Sequence, residues 1–274
     1  IMIKTGIIEG AGFTGGELIR LLLNHPDVHL IFITGRGNSG QYIHEVHRGL
    51  YGETELRFAD EPQLDKIDLL FLCTDVEESR QFMQRTDIPE NLKIIDFSRE
   101  YRLKSDEKFI YGLPELNRRQ ICKSKYVANP GCFATAIQLA LLPLAKNLML
   151  NNDVYVTAIT GSTGAGVKPS STTHFSWRSD NISVYKPFTH QHLPEIIQSV
   201  KHLQSSFDSE ITFIPYRGDF ARGIFVTTVV KSAVSLDELY RIYRDYYKED
   251  SFVHVVEESI DLKQVVNTNK CLVH

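Results

Sequence analysis

Three stretches of this 274-residue sequence carry residue types whose spacing could do chemistry. The first is Asn129-Pro130-Gly131-Cys132-Phe133, which sets a thiol directly after a Pro-Gly turn, at the first turn of an expected helix. A helix N-terminus favours the thiolate, and the thiolate is the nucleophile. Burial as a small apolar residue is the other reading of Cys132, and it is the assignment for Cys73, Cys122 and Cys271. The second stretch is His190-Gln191-His192-Leu193-Pro194-Glu195, just ahead of a helical pattern. Imidazole, with an ordinary pKa of about 6.5, is the side chain suited to moving protons near neutral pH. The same His-x-His, joined by His174 or Cys132, could instead hold zinc. The third is Gly10-Ala11-Gly12-Phe13-Thr14-Gly15, a G-x-G-x-x-G between a strand and a helix. Residues without side chains there let a pyrophosphate approach backbone amides at the positive helix end. A turn that merely packs the helix on the strand is the alternative.

Other residues could serve these three. Arg36, in Thr34-Gly35-Arg36-Gly37-Asn38-Ser39, follows the second expected strand, where an NAD-preferring protein would offer an acid to the ribose hydroxyls. It can pair with a 2′-phosphate, so NADP(H) is the expected preference, or it can be a solvated loop arginine. Residues 160–169, with Ser162 and Gly164, form a second glycine-rich loop that could turn amides toward a phosphoryl group or be a plain surface turn. Arg222, beside Gly223, could clamp a carboxylate bidentately, and so could Arg217. Glu9 places a carboxylate next to the glycine turn, where it would repel phosphate.

The elements that must position these groups change character near residue 130. Before it, strand-like runs at 3–8, 28–33, 69–73 and 93–97 alternate with helical stretches at 16–24 and 77–85, as in parallel βαβ units. After it, an Ala/Leu-rich helix at 133–147 is followed by strands at 154–160, 211–215, 223–230 and 252–256, with helices at 193–203 and 236–247. That pattern suggests an α+β domain. Ser235 and Glu238 have the spacing of a reciprocal capping box.

Composition narrows the setting. With 42% hydrophobic and 23% charged residues, the chain is an ordinary globular one rather than disordered or fibrous. A formal charge of -4, without a basic block, disfavours a nucleic-acid partner. The most apolar stretch, 132–145, is interrupted by Gln138 and Pro143 and falls short of the roughly 20 residues of a spanning helix, so no membrane segment is expected. Four separated cysteines without a CxxC pair suit a reducing, cytoplasmic setting.

The run VANPGCFATAIQLALLP at 127–143 resembles the cysteine signature of the N-acyl-γ-glutamyl-phosphate reductases of arginine biosynthesis, relatives of aspartate-semialdehyde dehydrogenase. GFTGGELIRLLLNHP at 12–26, Tyr111-Gly112-Leu113-Pro114-Glu115-Leu116, Gly161-Ser162-Thr163-Gly164-Ala165-Gly166, the segment from His190 to Ile196, and Arg222-Gly223-Ile224 follow in that family's order. The resemblance implies a Rossmann-type parallel-sheet domain for NADP(H) at 1–131, then an α+β catalytic and oligomerisation domain at 132–274. It also implies an NADPH-dependent reduction of an N-acyl-γ-glutamyl phosphate to the semialdehyde through a cysteine thioester. Cys132 would be the nucleophile and His190 the acid/base. His192, Glu195, Arg222, Ser162 and Gly164 would meet substrate, with Gly10, Gly12, Phe13, Thr14, Gly15 and Arg36 on the cofactor. No metal is implied, and a homo-oligomer, dimer or tetramer, is.

Three departures from the family predict an alternative, a truncated or non-catalytic relative with weakened cofactor binding. Glu9 stands where the family usually has glycine. Thr74-Asp75-Val76-Glu77-Glu78 replaces a His-Gly pair of many members, and Cys271-Leu272-Val273-His274 ends on a strand that would lack a neighbour. The unusual wording of Tyr216-Arg217-Gly218-Asp219-Phe220-Ala221 further suggests an N-succinyl rather than N-acetyl substrate.

Overall fold

The computed structural model describes residues 2–103 and 108–274, which fall into two compact units, Ile1–Pro130 and Gly131–His274. The first unit carries β1 (Ile3–Ile8), α1 (Phe13–Leu23), β2 (Val28–Thr34), α2 (Ile43–Val46), β3 (Phe58–Ala59), β4 (Leu69–Leu72), α3 (Val76–Arg85), β5 (Lys93–Asp96), β6 (Phe109–Tyr111), α4 (Pro114–Ile121) and β7 (Tyr126–Ala128). Its strands form one sheet ordered β3-β2-β1-β4-β5-β7-β6, with every pairing parallel. Leu18, Ile19 and Leu22 of α1 pack with Ile7, Ile33, Phe58 and Phe71. Phe82 and Met83 of α3 pack in a separate cluster with Phe32, Leu70, Leu72 and Ile94. Burial on both faces explains why these strands read as continuous apolar runs.

The strand order reverses between β1 and β4, and the carboxyl ends flanking such a switch point are where open α/β sheets take ligands. The glycine turn lies there, after β1. The helix behind it starts three residues earlier than the spacing predicts, because Gly12, extended at φ −78° and ψ 173°, acts as its N-cap. β6 and β7 escape a reading by periodicity because three residues are too few to display one.

The second unit carries α5 (Cys132–Lys146), β8 (Val154–Thr160), α6 (Phe175–Arg178), β9 (Ser183–Val184), α7 (Leu193–Leu203), β10 (Ile211–Arg217), β11 (Ile224–Val229), α8 (Leu236–Tyr247), β12 (Val253–Val255) and β13 (Cys271–Val273). A mixed sheet, β11-β8-β10-β9, buries Val154, Val156, Ala158, Ile211 and Phe213 against Ile137 and Leu141 of α5 and Ile196 and Val200 of α7. Residues alternating with these along the strands, such as Tyr155 and Val229, remain more than half exposed.

Two local solutions fix α5. Pro143 has no N–H, so the Leu139 carbonyl one turn earlier loses its helical donor. The Tyr247 hydroxyl of α8 supplies the missing bond at 2.6 Å, and the Tyr243 hydroxyl donates to the Ala140 carbonyl at 2.5 Å. Beyond the helix, the buried Gln204 amide accepts from Leu150 N–H at 3.1 Å and donates to its carbonyl at 2.9 Å, tying the end of α7 to the chain entering β8.

Two expectations change. The strand at the end of the sequence does not lack a neighbour, since β13 pairs in parallel with β12. Ser235 does cap α8 by accepting from Glu238 N–H, but the Glu238 carboxylate goes to Arg241, one turn on, rather than back to the cap. Among the described residues no helix is long and apolar enough to cross a membrane.

Candidate active site

Cys132 is the first residue of α5 and is exposed, at the positive end of a 15-residue helix. The residue before it is held unusually well. Gly131 N–H donates at 3.0 Å to Oε2 of Glu195, a carboxylate only 3% exposed in the first turn of α7. The Gly131 carbonyl accepts from the amide and hydroxyl of Thr135 at 2.8 and 3.0 Å. A side chain at Gly131 would collide with the His192 imidazole, so glycine here admits that ring beside the start of α5. His192 Nε2 lies 4.0 Å from Glu195 Oε1.

His190 is 3% exposed and boxed by rings. Phe133 and Phe213 lie at 5.4 Å, Tyr185 at 5.7 Å and His192 at 4.7 Å, all edge-on. Its Nδ1 accepts the His192 N–H at 3.3 Å, so the neutral ring carries its proton on Nε2. Burial above all, with His192 and Lys186 adding to it, pushes His190 down to about 4 against the opposing pull of Glu195. The imidazole is therefore neutral at pH 7. Tyr185 bridges His190 to Arg217, whose guanidinium carbon lies 4.6 Å from the tyrosine ring centre. Burial pushes the Tyr185 hydroxyl up to about 12, with Arg217 pulling it down.

The second glycine-rich loop is not free to turn most of its amides toward an anion. Gly161, Ser162 and Thr163 donate their N–H groups to the carbonyls of Gly223, Phe220 and Ala221. The segment is a 3-10 turn, Ser162–Ala165, stapled to the loop that carries Arg222, which leaves the Gly164 amide able to face a ligand. Arg222 sits in that loop, two residues before β11, rather than at the strand's start. Arg178, 5% exposed, donates to the carbonyls of Arg217, Asn181 and Thr172 and to the Ser183 hydroxyl, and so closes the chain from 172 to 183 onto β10. His174 heads the short α6 instead of joining the histidine pair, and no three His, Cys, Asp or Glu side chains converge as metal ligands among the described residues.

In the first unit, the turn from Gly10 to Gly15 fits a dinucleotide. A side chain at Gly15 would collide with the Gly10 backbone, so glycine lets α1 pack directly on the turn. A side chain at Gly12 would meet nothing within 4 Å, which leaves an open seat, and the amides of Ala11, Gly12, Phe13 and Thr14 donate to no protein group among the described residues. Beside this seat, Glu9 has a partner for its carboxylate. Its backbone is left-handed at φ 59°, and its Oε2 accepts the Arg36 N–H at 3.4 Å. The other acids are engaged too. Asp75 caps α3 by accepting from Glu78 N–H at 3.0 Å, Glu77 binds Arg80 and Gln81, and Glu78 pairs with Arg36. Tyr185, Phe133, Phe213 and Arg178 were not legible as site residues, because in sequence an aromatic box looks like core and a buried arginine like a surface one.

Comparison with known proteins agrees with this geometry. The family description "Semialdehyde dehydrogenase, NAD binding domain" matches residues 4–124, and "Semialdehyde dehydrogenase, dimerisation domain" matches 132–274. Among solved structures, aspartate semialdehyde dehydrogenase II from Vibrio cholerae, complexed with ASA, superposes with a TM-score of 0.75 over 99% of this chain and 87% of that one, at 13% identity. Aspartate semialdehyde dehydrogenase with NADP from Candida albicans gives 0.69 over 96% and 85%, also at 13% identity. Fold and site thus define a semialdehyde dehydrogenase-type oxidoreductase. Relatives named N-acetyl-gamma-glutamyl-phosphate reductase share 67% identity in Phocaeicola vulgatus and in Bacteroides thetaiotaomicron, over 100% of this chain and 85% of theirs. The chain belongs to the N-acetyl-gamma-glutamyl-phosphate reductase family.

Proposed function

We propose that this protein reduces an N-acyl-γ-glutamyl phosphate, the N-acetyl compound of its relatives' names, to the corresponding semialdehyde with release of phosphate, as a cytoplasmic step of arginine biosynthesis. The observation that carries the reading is Cys132, exposed at the head of α5 with its preceding residue clamped by Glu195.

Cys132 Sγ attacks the acyl carbonyl, the C–O bond to phosphate breaks, and a thioester remains on the chain. NADPH, when bound, supplies hydride to the thioester carbon. His190, neutral and carrying its proton on Nε2, hydrogen-bonds the oxyanion that hydride addition leaves on the thioester carbon, and that oxyanion re-forms its C=O as the C–S bond breaks, which frees the aldehyde and returns Cys132 as thiolate. Glu195 holds the Gly131 backbone that aims the thiol, with His192 packed against that glycine, while Arg222, with Ser162 and Gly164 on the loop stapled to it, serves the anionic ends of the substrate.

The cofactor's pyrophosphate is assigned to the turn formed by Gly10, Gly12, Phe13, Thr14 and Gly15. Arg36, three-quarters exposed and partnered by Glu78, is the cation for a 2′-phosphate, which supports NADP(H) over NAD(H). Titration with NADPH beside NADH tests that preference. The apolar outer face of the β11-β8-β10-β9 sheet is assigned to a second copy of the chain.

The decisive assay is the reverse reaction, N-acetyl-glutamate semialdehyde with phosphate and NADP+, followed by NADPH absorbance for wild type and Cys132→Ser. Turnover in the wild type that disappears in the variant is the expected result. A folded wild type without turnover, or a serine variant as fast as wild type, would overturn the reading.

A further inference from the structure

His47 lies outside the motifs that the proposed reaction absorbs, yet it touches the glycine turn directly. It follows α2, where its N–H bonds to the Ile43 carbonyl at 2.9 Å, and its half-buried ring reaches back 37 residues. Nε2 lies 2.8 Å from the Gly10 carbonyl oxygen. A carbonyl only accepts, so Nε2 carries the proton. A Cβ on Gly16 would stand 2.5 Å from the His47 Nδ1, so the glycine beside the fingerprint exists to admit this imidazole. Phe58 flanks the ring at 6.4 Å.

The Gly10–Ala11 peptide is trans, and in a planar trans peptide the C=O and N–H point in opposite directions. Holding the Gly10 carbonyl therefore also fixes where the Ala11 N–H points, on the side away from His47. That amide heads the group of four, Ala11 to Thr14, that donate to no protein group among the described residues. Without a partner for its oxygen, the same peptide could rotate and lose the alignment of this donor.

We propose that His47 is a positioning residue for the dinucleotide's pyrophosphate, holding the Gly10 carbonyl through Nε2–H so that the Ala11 amide stays turned outward. The inference rests on the assignment of the glycine turn to the cofactor, and one experiment separates the two. NADPH binding is measured by dinucleotide fluorescence for wild type, His47→Phe and His47→Gln, with thermal unfolding of each protein in parallel. Phenylalanine keeps the ring and removes the donor, whereas glutamine keeps an N–H donor.

The expected result is binding about 3- to 10-fold weaker in His47→Phe, the size of one net hydrogen bond, with partial recovery in His47→Gln. Wild-type affinity in His47→Phe, or an equal loss in both variants, overturns the proposal. A wild type that binds no NADPH instead removes the cofactor assignment beneath it. If His47→Phe does not fold, NMR of the wild-type imidazole decides. A proton on Nε2 with and without NADPH supports the bond to Gly10, and a proton on Nδ1 overturns it.

Discussion

The thiol and the imidazole of the proposed reaction have opposite relations to water, and each can be tested alone. Cys132 is open to solvent, whereas His190 is enclosed and held down to about 4. A depressed folded-state pKa means that protonation favours the unfolded chain. The stability held by the neutral ring is complete above the unfolded value of about 6.5 and is lost as pH falls from there toward 4. Denaturant unfolding at pH 7.5 and pH 5 should show wild type losing more stability between the two than His190→Phe, which has nothing to titrate; equal losses would count against the buried imidazole. Glu195 is tested through its neighbour. Glu195→Ala removes the acceptor for Gly131 N–H and should lower kcat and change the rate of Cys132 alkylation, with Glu195→Gln restoring much of both. An effect on KM alone would make Glu195 a substrate ligand instead. Cys132, His190 and the glycine turn were readable because each is a short motif flanked by the right element. Tyr185 and His47 were not, because their roles arise from a ring or a carbonyl brought near by folding from distant sequence.

At the scale of elements, the strands and helices that carry a long apolar period were legible, while the short strands β6, β7 and β9 were not. Pattern is silent where a tertiary bond replaces a local one. The helix through Pro143 was legible, and it runs from Cys132 through Lys146, but nothing in the pattern shows that Tyr247 restores the bond that Pro143 removes. Tyr247→Phe keeps the packing and leaves the Leu139 carbonyl buried without that donor, at a cost of about 1–3 kcal/mol. Denaturant titration checks this, and a change within a few tenths of a kcal/mol would mean that the carbonyl finds water instead. The glycine-rich loop at 161–166 shows the converse, since three amides that sequence offers to an anion are already bonded to the Arg222 loop.

For the whole molecule, the chain divides at Pro130, two residues before Cys132, into units that each have their own core. Composition could not reveal the face proposed to meet another copy, because one face of a mixed sheet becomes a surface only once its strands are paired. Tyr155 and Val229 are directly opposite one another across β8 and β11, and each is more than half exposed. Replacing both by glutamate adds like charges to that apolar face without touching the buried side of the sheet. Analytical ultracentrifugation should then show a smaller species than wild type at equal concentration. An unchanged sedimentation coefficient would move the subunit contact to another surface.

Pro143 and Tyr247 also have a bearing on descent. With Pro143→Ala, a new N–H competes for the carbonyl that Tyr247 serves; with Tyr247→Phe, the proline leaves that carbonyl bare. Each change alters the value of the other, by 0.5–3 kcal/mol if they couple as contacting residues usually do. Lineages that part with the proline should thus be free to part with the tyrosine hydroxyl, and lineages that keep one should inherit both.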